Sequence, residues 1–180
     1  MPHLPPKAVA PTDGYRGNGA KSYGNSKETL GALLPGAHVI TSPFGRRIHP
    51  ILKTAKDHKG EDYRGSVGTP LLAPFSGRVV ESRYQANTVV RNGRKVTVGW
   101  GHTVVIQAPN GVRYRASHMN TASPLRFGDP VAKGQQIGQL GSSGGVSGPH
   151  LDAMLYSPSG KVLPVSAYRG KTLNEIAKIR

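Results

Sequence analysis

From Gly36 onward the chain is written in short apolar and β-branched runs separated by glycine and proline. They are Ala37 to Thr41, Leu71 to Ala73, Gly77 to Arg83, Thr88 to Val90, Lys95 to Val98, Thr103 to Gln107, Val112 to Ser117, Gln136 to Gly141 and His150 to Leu155. Runs of this length and spacing predict a mainly β fold, an antiparallel sheet folded over as a split barrel or barrel-sandwich. Ala108-Pro109-Asn110-Gly111 lies between two of the runs and predicts a hairpin turn, with Asn-Gly taking the positive φ angles. Two segments, Gly68 to Gly77 and Gly128 to Gly138, echo each other by placing a proline and an apolar pair between glycines, as in hammerhead turns. Helical signals are confined to the two ends. Ser26 to Leu34 predicts a short helix with Ser26 as N-cap and Pro35-Gly36 as its stop, and Leu173, Ile176 and Ala177 recur at helical spacing after Thr172. Met1 to about Tyr23 is aperiodic and rich in Pro, Gly and Ala, the pattern of a flexible or loosely docked arm. The expected organisation is an arm with a short helix over 1–35, one domain over 36–170 and a short terminal helix over 171–180.

Composition narrows the chemistry. A chain of 180 residues can bury one core without staples, and with no cysteine it offers neither thiolate catalysis nor a Cys-based metal site. Lys and Arg number 24 against 9 Asp and Glu, a balance that draws a protein towards polyanions. The basic residues are scattered, and the chain has neither a basic helix nor an aromatic ribonucleoprotein strand, so nucleic acid is not the expected partner. No window reaches the roughly 18 apolar residues of a membrane span. The start, Met1-Pro2-His3-Leu4-Pro5-Pro6-Lys7, lacks the apolar core of a secretory signal, so a substrate outside the cytoplasm would have to be reached by another route.

Five side chains from remote parts of the chain could meet in one site: His58 and Asp62, His118, and His150 with Asp152. If His150 to Leu155 is a strand, residues two apart share a face, so His150 and Asp152 project together while Leu151 and Ala153 pack on the other side. His58 and Asp62 have helical spacing, but Gly60 between them favours a loop running into a strand. Three imidazoles and two carboxylates are the raw material of an open metal site with proton-transferring histidines beside it.

The order of motifs resembles the lysostaphin-type zinc metallopeptidases that cut peptidoglycan peptides. Ser42-Pro43-Phe44-Gly45-Arg46-Arg47-Ile48-His49-Pro50 matches a Ser-x-Phe-Gly-x-Arg-x-His-Pro segment, and His58 to Asp62 matches His-x-x-x-Asp. Gly68-Thr69-Pro70, Ala73 to Val79, Gly99-Trp100-Gly101-His102, Tyr114 to His118 and Gly128 to Gly138 follow in the same order, so the likeness covers about Gly36 to Tyr156. The resemblance implies a metallopeptidase domain over 36–170 with His58 and Asp62 as metal ligands. It also implies that His118 and His150 are unligated histidines that handle the water proton and the oxyanion. The remaining family ligand is the second His of a His-x-His pair, and here that position is Asp152. Either Asp152 binds the metal, or the site has lost its metal, or the chain is an altered form of a His-bearing parent. Ligation by Asp152 is the favoured expectation because a carboxylate oxygen lies as many bonds from the backbone as imidazole Nδ1. An oxygen-rich ligand set would hold Zn2+ and would also suit Mn2+ or another divalent ion.

Tyr114, His102, Arg46 and His49 are candidate substrate contacts, Arg46 because a guanidinium fork matches a carboxylate. The expected activity is hydrolysis of amide bonds in wall cross-links by a monomeric, phage-type lytic enzyme that acts on peptidoglycan and is retained by anionic envelope polymers. The alternative is a degenerate domain that binds wall peptides or activates a partner without cutting.

Overall fold

A computed structural model describes residues 24–48 and 55–180, apart from the side chain of Arg47. Within them the strands are β1 (Ile40–Ser42), β2 (Gly45–Ile48), β3 (Ala55–His58), β4 (Glu61–Tyr63), β5 (Pro70–Leu72), β6 (Gly77–Arg91), β7 (Arg94–Gln107), β8 (Arg113–Met119), β9 (Pro130–Val131), β10 (Gln136–Gln139), β11 (Leu151–Tyr156) and β12 (Val162–Leu163). Two short helices, α1 (Val165–Tyr168) and α2 (Leu173–Ala177), close the chain. The main sheet runs β1-β4-β11-β8-β7-β6-β9 with β12 on β11, its neighbours antiparallel, and it curls into a half-barrel. The expected architecture is the one observed.

Alternation along the two central strands sorts side chains onto two faces. Tyr114 and Ala116 of β8 join Leu151, Ala153 and Leu155 of β11 in the main core with Val104, Ile106, Phe75 and Leu71. Arg113, Arg115 and Ser117, with Asp152, Met154 and Tyr156, occupy the other face and are also buried. The echoed glycine segments pack on each other: β5 pairs with β10, and Ala73 donates its N–H to Gln135 O at 2.9 Å while its carbonyl accepts from Gly134 N–H at 2.8 Å.

No helix forms over 26–34, contrary to the sequence expectation. This segment is an extended strap: Thr29 bridges Thr172, Leu30 N–H donates to Lys171 O, Gly31 N–H to Pro74 O, and Leu33 O accepts from Leu72 N–H. A nine-residue helix containing Gly31 is too short to be stable alone, and these remote partners take the backbone groups it would have used. Burial of Leu30, Leu33 and Leu34 then supplies about 1.5–3 kcal/mol each. The C-terminal expectation holds, because α2 carries a capping box in which Thr172 Oγ accepts from Glu175 N–H and the Glu175 carboxylate accepts from Thr172 N–H. The hairpin expected at Ala108 to Gly111 is present and joins β7 to β8, with Gln107 opposite Arg113, but without both positive φ angles. Asn92 and Gly93, at φ 50° and 72°, make the two-residue Asn-Gly turn between β6 and β7, whereas at Asn110-Gly111 only the glycine is left-handed. The expected arm over 1–23 and residue His49 lie outside the described residues.

One buried carboxylate ties the site strand to this frame. Glu61, 2 % exposed, accepts from Tyr63 Oη at 2.6 Å, Ser166 N at 2.9 Å and Ser166 Oγ at 2.6 Å. Glu61→Ala would orphan three donors, and we expect it to lower unfolding free energy by about 2–4 kcal/mol in urea titrations, far more than Glu175→Ala at the exposed helix cap.

Candidate metal centre

The site is assembled by strand register. Asp62 of β4 stands directly opposite Asp152 of β11, which on its other side stands opposite Ser117 of β8. Period-2 alternation therefore turns both carboxylates to the face away from the core. His58 ends β3 and returns to them through Lys59-Gly60, placing its Nε2 3.3 Å from Asp62 Oδ1. One donor atom from each of His58, Asp62 and Asp152 lies within 4.8 Å of the others. His150 Nε2 is 3.6 Å from Asp62 Oδ1, His118 Nε2 is 3.9 Å from Asp152 Oδ2, and the His118 and His150 rings are 5.0 Å apart. All five residues line one cleft of about 350 Å3, together with Lys56, Asp57, Trp100 and the loop Gly145-Val146-Ser147.

All three imidazoles are oriented the same way. His118 Nδ1 meets Ser143 O at 2.8 Å, His150 Nδ1 meets Gly148 O at 2.9 Å, and His58 Nδ1 meets Pro43 O at 3.2 Å. A carbonyl oxygen can only accept, so each Nδ1 carries the proton and each Nε2 presents a lone pair to the cluster. For His58 this is the arrangement that fixes a metal-binding tautomer through the second nitrogen. His118 holds its position at φ 60°, a left-handed conformation that costs a non-glycine residue roughly 1–3 kcal/mol. Burial pulls its pKa down to about 4, so it is a neutral base near pH 7.

The donor set fits a divalent cation. Asp152 is 8 % exposed and its Oδ1 has no hydrogen-bond partner, an expensive state for a buried carboxylate oxygen unless a cation meets it. Desolvation, reinforced by the facing Asp62, pushes its pKa up to about 6. One imidazole nitrogen and two carboxylates match the ligand types of a catalytic zinc site that keeps a position open. Gly60 is required at the turn because a side chain there would overlap Asp152 Oδ1 and lie 3.1 Å from Ala153 O.

Residues 56–164 match the family model described as Peptidase family M23. The chain belongs to peptidase family M23. Among curated proteins it is 38% identical over 112 residues to the DD-carboxypeptidase/endopeptidase Mpg of Neisseria meningitidis, covering 62% of this chain and 23% of that protein. It is 35% identical over 113 residues to the peptidoglycan DD-endopeptidase ShyC of Vibrio cholerae, again 62% and 23%. The chain thus spans about a quarter of the length of these curated relatives. Among solved structures it resembles a mutant catalytic domain of the prophage-encoded M23 protein EnpA of Enterococcus faecalis, with TM-score 0.60, 28% identity, and 77% of this chain and 97% of that one covered. The catalytic domain of lysostaphin from Staphylococcus simulans matches with TM-score 0.57, 25% identity and coverage of 73% and 91%.

For this M23 domain the structure brings together the expected ligand candidates and both histidines, but not the expected substrate contacts. Tyr114 is fully buried in the main core, because the left-handed turn at His118 breaks the regular alternation that would have aligned the two. His102 stacks on Tyr84 at 4.8 Å and is not among the cleft-lining residues. Arg46 is exposed on the β2–β3 ribbon opposite Asp57, also off the cleft. His49 lies outside the described residues. Trp100 and Lys56 line the cleft and Ser143 anchors His118, and the glycines flanking Trp100 are the sequence signal for the first of them. A larger concavity of about 500 Å3 between Leu30, His38, Tyr63 and Arg169 contains none of the cluster, and its His38 Nε2 already accepts the Leu33 N–H.

Proposed function

We propose that the chain is a peptidoglycan DD-endopeptidase domain that hydrolyses amide bonds of cross-link peptides, with zinc held by His58, Asp62 and Asp152. The observation that carries this reading is the carboxylate of Asp152, buried with its Oδ1 unpartnered and with one oxygen within 4.8 Å of donor atoms of His58 and Asp62, beside two unligated histidines with their Nε2 atoms inward. The named activities of the curated relatives support the substrate class. When bound, the ion supplies Lewis acidity for the scissile carbonyl and a lowered pKa for the attacking water. His118 and His150 take up the water proton at Nε2 and return it to the departing nitrogen. The Nδ1 anchors on Ser143 O and Gly148 O hold the two rings in place through both transfers. A phage-type lytic role is part of this reading, supported by the likeness to a prophage-encoded domain and by the strongly basic charge, which would retain the protein on anionic envelope polymers.

The test is digestion of isolated sacculi and of a purified cross-linked muropeptide dimer, with zinc or manganese added and with both chelated. Metal-dependent release of monomer is the expected result. An inactive parent from which Asp152→His generates activity would instead establish the non-catalytic alternative, because the restored imidazole would then be the only missing part.

A further inference from the structure

Strands β6 and β7 run on past the sheet that holds them. β9 reaches only Gly77 and Arg78 of β6, and β8 pairs with β7 only from His102 inward, so from Asn87 and Val98 outward the two strands pair with each other alone among the named strands. β7 carries Gly99 and Trp100 in the wall of the metal cleft, and Arg94 lies about 20 Å along the strand from Trp100. The Asn92-Gly93 turn, at φ 50° and 72°, closes this ribbon, and residues 90–95 are all exposed.

The tip is cationic in a way the fold does not need. Arg91 and Arg94 are register partners directly across the turn, and such partners hold their Cβ atoms about 4.5–5.5 Å apart, where like charges repel. Lys95 follows on the opposite face, across from Val90. The chain has no Asp or Glu between Glu81 and Asp129, and among the described residues no carboxylate pairs with any of the three cations. An anion held between the two guanidinium forks would turn this repulsion into attraction.

Resting on the envelope location in the proposed function, we propose that the tip formed by Arg91, Arg94 and Lys95 is an exosite for a flexible polyol-phosphate chain of the cell envelope, of the poly(glycerol phosphate) kind. Phosphate is the anion because paired guanidinium forks match its oxygens, which a point-charge ammonium does not. The chain is flexible because the cations lie on both faces of a narrow ribbon, which a flexible polymer can wrap and a rigid duplex cannot. Single-stranded nucleic acid fits less well, since residues 85–99 contain no aromatic side chain on which a base could stack. A bilayer also fits less well: Val90, 68 % exposed, is the only large apolar side chain at residues 90–95, and the Trp, Phe or Leu anchors of an interfacial element are missing there. Because β7 is continuous from the tip to Trp100, polymer held at one end keeps the attached wall near the cleft at the other.

The probe is labelled, lipid-free poly(glycerol phosphate) titrated into the full chain over a range of salt. Saturable binding is expected, with log affinity falling linearly against log salt. The double variant Arg91→Gln, Arg94→Gln should bind at least about ten-fold more weakly at low salt and flatten the slope by roughly 1.5, from two phosphate contacts at about 0.7–0.9 each. Adding Lys95→Gln should flatten it by roughly 0.8 more. The double variant should stay as monodisperse as the parent, melt no lower at low salt because a like-charge pair is gone, and cleave soluble cross-linked dimer at the parental rate. It should lose the parent's faster cleavage of polymer-bearing over polymer-stripped walls. Parental affinity and slope in the double variant overturn the exosite, and aggregation of that variant with parental binding leaves the cations as guards against edge pairing. Tighter binding of a single-stranded oligonucleotide of equal phosphate number, or of phosphatidylglycerol vesicles, through the same cations overturns the choice of partner. Polymer binding that the double variant loses, in a parent that cleaves nothing, upholds the exosite and removes the hydrolase reading instead.

Discussion

Asp152→Asn protein is expected to come through purification without bound zinc and without hydrolytic activity, and yet to be more stable at pH 7 than the metal-stripped parent. The two effects share one cause. In the parent Asp152 is buried opposite Asp62, with Oδ1 unpartnered, so its ionised form is unfavourable unless a cation is present. Desolvation, then Asp62, raises the folded pKa from the ordinary 3.8 of an aspartate to about 6. A carboxyl whose folded pKa lies above its unfolded value contributes stability that is fully present below about pH 4 and is lost as pH rises through about 6. At pH 7 the apoprotein therefore carries a penalty of about 3 kcal/mol that asparagine does not. Urea titrations in chelator should put the variant about 3 kcal/mol above the parent at pH 7 and level with it near pH 4, with added zinc stabilising only the parent. Loss of one ligand of three should weaken ion binding by at least about 100-fold, read as metal content after dialysis, since even outer-shell changes cost 10–100-fold. Full metal occupancy in the variant would remove Asp152 from the ligand set, and lower apo stability at pH 7 would show that the burial is not costly.

The parts of this molecule legible in its sequence are those decided by local alternation. In β11, Leu151, Ala153 and Leu155 were bound to face one way and Asp152 the other once the run was a strand, and the core accepted them in that arrangement. The pairing of Asp152 with Asp62 was not local, but motif order brought their segments into one expected site. What the sequence hid depends on remote partners. Ser26 to Leu34 has the composition of a short helix, yet its backbone groups are claimed by Lys171, Pro74 and Leu72 from far along the chain. The separate runs at Gly77 to Arg83 and Thr88 to Val90 are one strand, because a bulge keeps pairing continuous through Gln85 to Asn87 where periodicity lapses. Tyr114 would share the face of His118 only on a regular strand, and the positive φ at His118 has no signature in a non-glycine residue. Arg115 is one scattered charge among 24 in the sequence; its burial, its pairing with Glu81 and its stacking on Trp100 separate it from a solvated arginine.

His118→Ala and His150→Ala should separate proton handling from metal binding. Neither ring contributes a donor atom to the His58, Asp62 and Asp152 group, so both variants should retain ion content and melt close to the parent. The left-handed backbone at His118 is no easier for alanine, and the hydrogen bond the ring gives up is the one to Ser143 O, so the loss should stay near the level of one hydrogen bond, about 1 kcal/mol. Each substitution removes one inward Nε2 lone pair and should lower kcat by about 10²–10⁴-fold with KM within a few-fold, the pattern of an interaction made chiefly in the transition state. The 5.0 Å ring separation lets the two imidazoles act on the same water and leaving nitrogen, so the double variant should be scarcely slower than the worse single one. Multiplicative losses in the double variant would mean that the rings work in independent steps. A single variant with parental kcat and full metal content would remove that histidine from the chemistry and leave it as a wall of the cleft.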